Sequence, residues 1–183
     1  MNWLIYLTFN FILYSFLGWC LEEGYLYFKK GHFKTDGFLR GTFKPMYGFA
    51  ISILIYIYSV LKVEGLLLVL CFIVVPTAVE YISGYGLKKL FYKEYWNYKS
   101  FKSNFQGIIC LRFSVYWSLL TGLVIVTMQP AVETIYLKFM NFIGFLTLIF
   151  MIYILVDFLI TLKLLSYKSN GNPTHIRSLG KFK

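Results

Sequence analysis

Three places in this 183-residue chain put a carboxylate where almost nothing else is charged. Glu22 and Glu23 follow twenty-one residues without a charged side chain, Glu80 stands in VEYISGYG, and Asp157 in LVDFL. A charged group at membrane depth costs roughly 2.5 to 3.5 kcal/mol on insertion scales, so each needs a partner or a task. Glu22 lies seven residues before Lys29, Glu80 eight before Lys88 and Asp157 six before Lys163. At 1.5 Å per helical residue that places them about 9 to 12 Å inside the first basic residue. Positions i, i+3, i+4 and i+7 share a helical face. The face of Glu22 reads Ser15, Gly18, Trp19, Glu22, and that of Glu80 reads Thr77, Glu80, Tyr81, Gly84. A third stripe reads Ser114, Trp117, Ser118, Thr121. Small and hydroxylated residues on such faces either let helices approach closely or leave room for water or a ligand. Glu23 is turned about 100° from Glu22, so one glutamate is expected to face the bundle interior while the other snorkels to the headgroups.

The elements that must carry these stripes follow from composition. Hydrophobic residues make up 58% of the chain and aromatic residues 21%, with a mean hydropathy of +0.65. This exceeds what a soluble domain carries. Five apolar runs, at about 3–21, 45–61, 65–87, 113–128 and 139–162, are read as membrane spans, since a crossing needs about 20 apolar residues. The reading is an all-α polytopic helix bundle over residues 1–165 with a basic tail at 166–183. The net charge of +10 is a topology signal rather than a nucleic-acid footprint, because sixteen of eighteen lysines and arginines fall on one side of the five-span arrangement. By the positive-inside rule the N-terminus is outside and the C-terminus is cytoplasmic, with the chain in the plasma membrane. The first run lacks the basic start and small-residue cleavage site of a signal peptide. Cys20, Cys71 and Cys110 have neither framework nor metal spacing and are expected to be packing residues.

Pro45 opens the second span at a position where its missing N–H costs nothing, and Lys62-Val63-Glu64 makes spans two and three an antiparallel hairpin. Gln129-Pro130 is expected to stop the fourth span. The aromatic cluster FYKEYWNY within the loop 88–112 belongs at the membrane surface, as an interfacial helix or a re-entrant turn.

Three ordered motifs resemble those of a bacterial membrane-protein family described as ABC transporter type IV, the CmpB-like proteins. They are FLGWCLE at Phe16–Glu22; GFLRGTFKPMYGFA, in which Gly37, Phe38, Leu39, Gly41, Pro45, Tyr47 and Gly48 match; and EYISG at Glu80–Gly84 followed by Trp96, Tyr98, Asn104 and Gly107. The likeness covers about residues 10 to 125. Asp36 stands where the family carries an arginine, Thr42 and Lys44 replace a proline and a cysteine, Asn97 replaces an aspartate and Ile108 an arginine. Arg40 and Arg112 are the candidates to replace the lost charges. The resemblance implies a transport role. No G-x-x-x-x-G-K-[ST] occurs, so ATP-driven transport would need a separate ATPase subunit.

The reading that joins these strands is a permease-like or transport-associated subunit with a polar, cytoplasm-facing cavity. The cavity-lining candidates are Trp19, Glu22, Gly41, Tyr47, Glu80, Gly84, Trp96, Tyr98, Asn104 and Arg112. A non-catalytic scaffold or sensor is the second reading, favoured if the stripes only pack. An intramembrane enzyme acting on lipid or peptide is the third. Glu22-Glu23 is similar to the EE-x-x-x-R motif of membrane CAAX-type proteases, but residue 27 is tyrosine, and His32 and His175 lie in a loop and the tail. No catalytic residue, metal or cofactor is assigned. The expected partners are membrane lipids, the ATPase subunit and further copies of the chain, with nucleic acid excluded.

Overall fold

A computed structural model describes residues 2–31 and 37–170. Helix α1 is Trp3–Lys30, begun by the Asn2 side chain on the Leu4 N–H and ended by Gly31 in the left-handed region. Helix α2, Pro45–Ile55, continues into a π-helical turn, Tyr56–Val60. Then come α3, Gly65–Phe91, a two-stranded hairpin of β1, Asn104–Phe105, and β2, Ile109–Cys110, and α4, Leu111–Leu123. A second π-helical turn, Val124–Met128, leads into α5, Gln129–Lys138, and the chain closes with α6, Met140–Asn170.

Four helical stretches are long and apolar enough to cross a membrane: Trp3–Lys29, Gly65–Phe91, Leu111–Lys138 and Met140–Ser166. Pro45–Val60 is a shorter apolar helix. Leu66, Val74, Phe142, Phe145 and Leu148 all stand largely exposed on the outside. Such a surface suits hydrocarbon as solvent, and within hydrocarbon only helices satisfy their own backbone groups. The chain is an all-α, multi-pass membrane bundle.

Two expectations are corrected. The fourth span does not stop at Gln129-Pro130, because the π-turn before it widens the helix and puts Pro130 in the first turn of α5, where no N–H is missed. Of the interfacial helix or re-entrant turn expected in the loop 88–112, the helix does not form: 92–110 holds none, and the chain folds back at its end in the β1–β2 hairpin. Of the tail expected at 166–183, residues to Asn170 continue α6, and 171–183, with His175, lie outside the described residues, as do His32 and Asp36.

Helices α1 and α2 form the central antiparallel pair. Lys44 N–H donates to the Ser15 carbonyl at 3.0 Å, and Ser52 Oγ donates to the Leu7 carbonyl at 3.3 Å. Gly48 has no side chain to hold off Ser15 and the Phe11 backbone, and Tyr47 lies across Gly18. Since Lys44 is level with Ser15, the segment 37–44 has come back about 22 Å along α1 from Lys30, fifteen residues at 1.5 Å each. It wedges between α1 and α6, where Leu39 and Phe43 pack with Ile12 and Ile154. This insertion is why α2 is short. The main core joins Tyr6 and Tyr14 of α1, Ile51, Leu54 and Ile55 of α2, Ile125, and Tyr136 of α5.

Candidate functional site

Two of the sequence motifs meet at Tyr47. Its ring covers Gly18, and its hydroxyl reaches one turn further along α1, donating to Glu22 Oε1 at 2.9 Å. Lys44, three residues before Tyr47 at the N-cap of α2, pairs with Glu22 and lies 3.7 Å from Glu23. The interior choice between the two glutamates differs from the stripe argument. Glu23 is the buried one, at 3% exposure, and Glu22 is partly open. The inserted loop approaches α1 from the α6 side, so the flank bearing Glu23 is covered as well.

The third motif docks on α3 by matching two periodicities. Trp96 packs over Gly84, where an added Cβ would stand 2.9 Å from the indole and 2.6 Å from Ile108. Tyr98 Oη donates to Glu80 Oε1 at 2.9 Å. Two residues of extended chain advance about 6.6 Å, and four residues of helix about 6 Å, so the 96/98 pair fits the 84/80 pair. The hairpin turn holds this strand in place. Asn104 Oδ1 accepts from the Gly107 N–H at 2.9 Å, Gly107 sits at φ +70°, and its carbonyl accepts from the Tyr98 N–H at 2.8 Å. Trp96 Nε1 donates to the Ile108 carbonyl at 2.8 Å. Nearer the surface, Lys88 lies 2.9 Å from Glu94 and holds its carboxyl below the usual range.

Glu80 is 2% exposed. Its Oε2 and the Trp117 Nε1 are both buried without a hydrogen-bond partner, and Trp117 lies near enough to act on the same carboxylate. None of the ion pairs among the described residues includes Glu80. Glu80, Tyr47 and Trp117 stand at one end of a cleft of about 260 Å³ between α1, α2, α3 and α4, whose walls are mostly apolar: Leu17, Met46, Ile51, Pro76, Val79, Leu120 and Val124. Tyr47 and Trp117 meet edge to face, with ring centres 5.2 Å apart. The polar cavity expected from the stripes is therefore an apolar cleft with a polar end.

The remaining candidates go elsewhere. Gly41 donates its N–H to Asp157 Oδ2 at 2.9 Å and anchors the inserted loop on α6. Trp19 stacks on Phe16. Arg112 is exposed and bonds Tyr116 Oη at 3.1 Å, so the structure does not bring it to Glu80. Arg40 is exposed too. Sequence reasoning missed Gln129, which accepts from Tyr14 Oη at 2.6 Å and donates to Tyr6 Oη at 2.8 Å and Asn10 Oδ1 at 2.9 Å. All four residues are buried. The signal was present as polar Asn10 and Gln129 in otherwise apolar runs, but the following proline made Gln129 look like an end.

A multi-pass helix bundle with an inserted loop, a folded-back hairpin and one buried carboxylate at an apolar cleft has the architecture of a membrane protein. Residues 9–162 match the model of the family described as "Putative ABC-transporter type IV", and the chain belongs to that family. No curated protein and no solved structure matches it. Membership makes it a membrane transport-associated protein.

Proposed function

We propose that the chain is the permease-like subunit of a transport system, with the Glu80 end of the cleft as its interior site and a separate ATPase as its energy source. The observation that carries this reading is Glu80 itself, buried at a cleft among four helices with one carboxylate oxygen unpartnered. An interior ionisable group facing a cavity is what substrate and ion pathways use. The N-terminus is outside and the C-terminus cytoplasmic on this reading, since the basic loops would then face the cytoplasm. One chain of this size is small for a whole permease, so a second copy completes the path.

The test is affinity purification of the tagged chain from its own membranes in a mild detergent, with cross-linking, followed by identification of partners and by nucleotide hydrolysis. A P-loop ATPase recovered with the chain, and lost hydrolysis on its removal, are the expected results. Absence of any such partner, together with a Glu80→Gln variant that replaces the wild type fully in a deletion strain, would sink it. One observation favours a scaffold instead: Ser15, Gly18 and Gly48 are used up in packing α1 on α2. That reading requires Glu80→Gln to act only through protein abundance.

A further inference from the structure

The cleft says more about its occupant than that it exists. We infer that it binds a small lipophilic organic cation, the charged group held beside Glu80 and the Trp117–Tyr47 ring pair and the apolar body lying along the cleft. This deepens the transport reading and rests on it for the word substrate, but the binding itself can be tested alone.

Charge is the first argument. Lys44 is engaged by Glu22 and Glu23, Lys88 by Glu94, and Arg112 faces outward onto Tyr116, so no described basic side chain balances Glu80. A buried carboxylate without a cation is costly. A positively charged guest at the Glu80 end of the cleft compensates the charge. A neutral amphiphile compensates nothing, and an anion is repelled.

The walls decide what kind of cation. Hydrated metal ions demand several oxygen ligands, and among the described residues no group of three acidic, histidine or cysteine side chains could hold one. The cleft instead offers apolar side chains and the Trp117 and Tyr47 rings beside one carboxylate. Aromatic rings attract desolvated organic cations. Size sets the limit, because about 260 Å³ lies just under the roughly 300 to 1,000 Å³ of drug-sized sites. One short alkyl chain or a single ring with an ammonium group fits that space.

The experiment uses the full chain in phosphatidylcholine nanodiscs, with empty discs subtracted, and three probes of one chain length: hexyltrimethylammonium, hexanol and hexanesulfonate. Calorimetric titration should show the ammonium binding at least tenfold tighter than hexanol, and the sulfonate not at all. Glu80→Gln should remove that preference, Trp117→Leu should weaken it, and Glu64→Gln, in the exposed hairpin, should leave it unchanged. If Glu80→Gln fails to accumulate, the probe series on the wild-type chain decides. Equal binding of ammonium and hexanol, no binding of either, or full affinity in a folded Glu80→Gln variant overturns the inference. An ATPase partner found despite such a result would leave the transport reading standing with another substrate class.

Discussion

Gly48→Ala tests the α1–α2 contact with a single carbon atom. A Cβ at Gly48 would clash with Ser15 Oγ and the Phe11 carbonyl oxygen, and would stand 2.7 Å from the Phe11 ring. A side chain can turn away, but a backbone carbonyl cannot, so relief requires α2 to leave α1. Overpacking alone costs about 1 to 3 kcal/mol. Separation would also stretch the Lys44–Ser15 and Ser52–Leu7 hydrogen bonds on either side, each worth about 1 kcal/mol net. The sum is about 3 to 5 kcal/mol, or at 1.4 kcal/mol per decade a loss of two to three and a half decades in the folded ratio. Two other helical glycines provide the control. Gly24 and Gly86 have nothing within 4 Å of an added Cβ, so alanine there should stabilise by about 0.5 to 1 kcal/mol through lower chain entropy. Reversible unfolding of the three variants by SDS in mixed micelles, followed by far-UV circular dichroism, gives the comparison. A Gly48→Ala variant as stable as Gly24→Ala would show that α1 and α2 do not touch as described.

Gln129→Leu removes every hydrogen-bond partner that Tyr14, Tyr6 and Asn10 find on α5; at about 1 to 3 kcal/mol per orphaned buried group, it should abolish accumulation in the membrane, measured by immunoblot against wild type. Gly84→Leu should displace the Trp96 segment and lower thermal stability in detergent, while Leu66→Ala, at a residue 76% exposed, should have little effect; equal melting would argue against the docking of Trp96 on α3. Lys44→Met should cost more than Lys44→Met combined with Glu22→Gln, because the single change leaves carboxylates unpaired; chemical unfolding should give a double-mutant coupling of about 1 kcal/mol, reduced because Glu22 is partly solvated, and strict additivity would refute the pair.

The runs that become α1, α3 and α6 were legible because a continuous apolar stretch of spanning length has few alternatives. The shortness of α2 was visible too, though its cause was not. That cause is tertiary: a Gly-rich loop travels inward beside α1, and only contacts such as Phe43 with Ile12 and Ile154 fix it there. Proline misled at residue 130 because it marks the first turn of a helix as readily as the end of one, and nothing local announces a preceding π-turn. Glu80, Gly84, Trp96 and Tyr98 were all picked out by motif, but the placing of Arg112 among the cavity residues rested on charge alone. Geometry gave Glu80 two aromatic neighbours instead.

The interior carboxylates divide by what they hold. Glu22 and Glu23 meet Lys44, and Asp157 meets the Gly41 N–H, so all three act on the segment 37–44 and tie it to α1 and α6. The cost of placing them at depth is offset by the placement of the inserted loop, which brings its own cation with it. Glu80 belongs to a different arrangement. Its hydrogen bond at Oε1 comes from Tyr98, a residue of the folded-back segment, and its other oxygen is buried near Trp117 at the end of the cleft. A single phenol would be satisfied by a neutral acceptor just as well, and a glutamine would supply one without charge. That this position carries an acid instead, beside two rings and an apolar cleft, is what moves the functional weight away from the Glu22 cluster and onto Glu80.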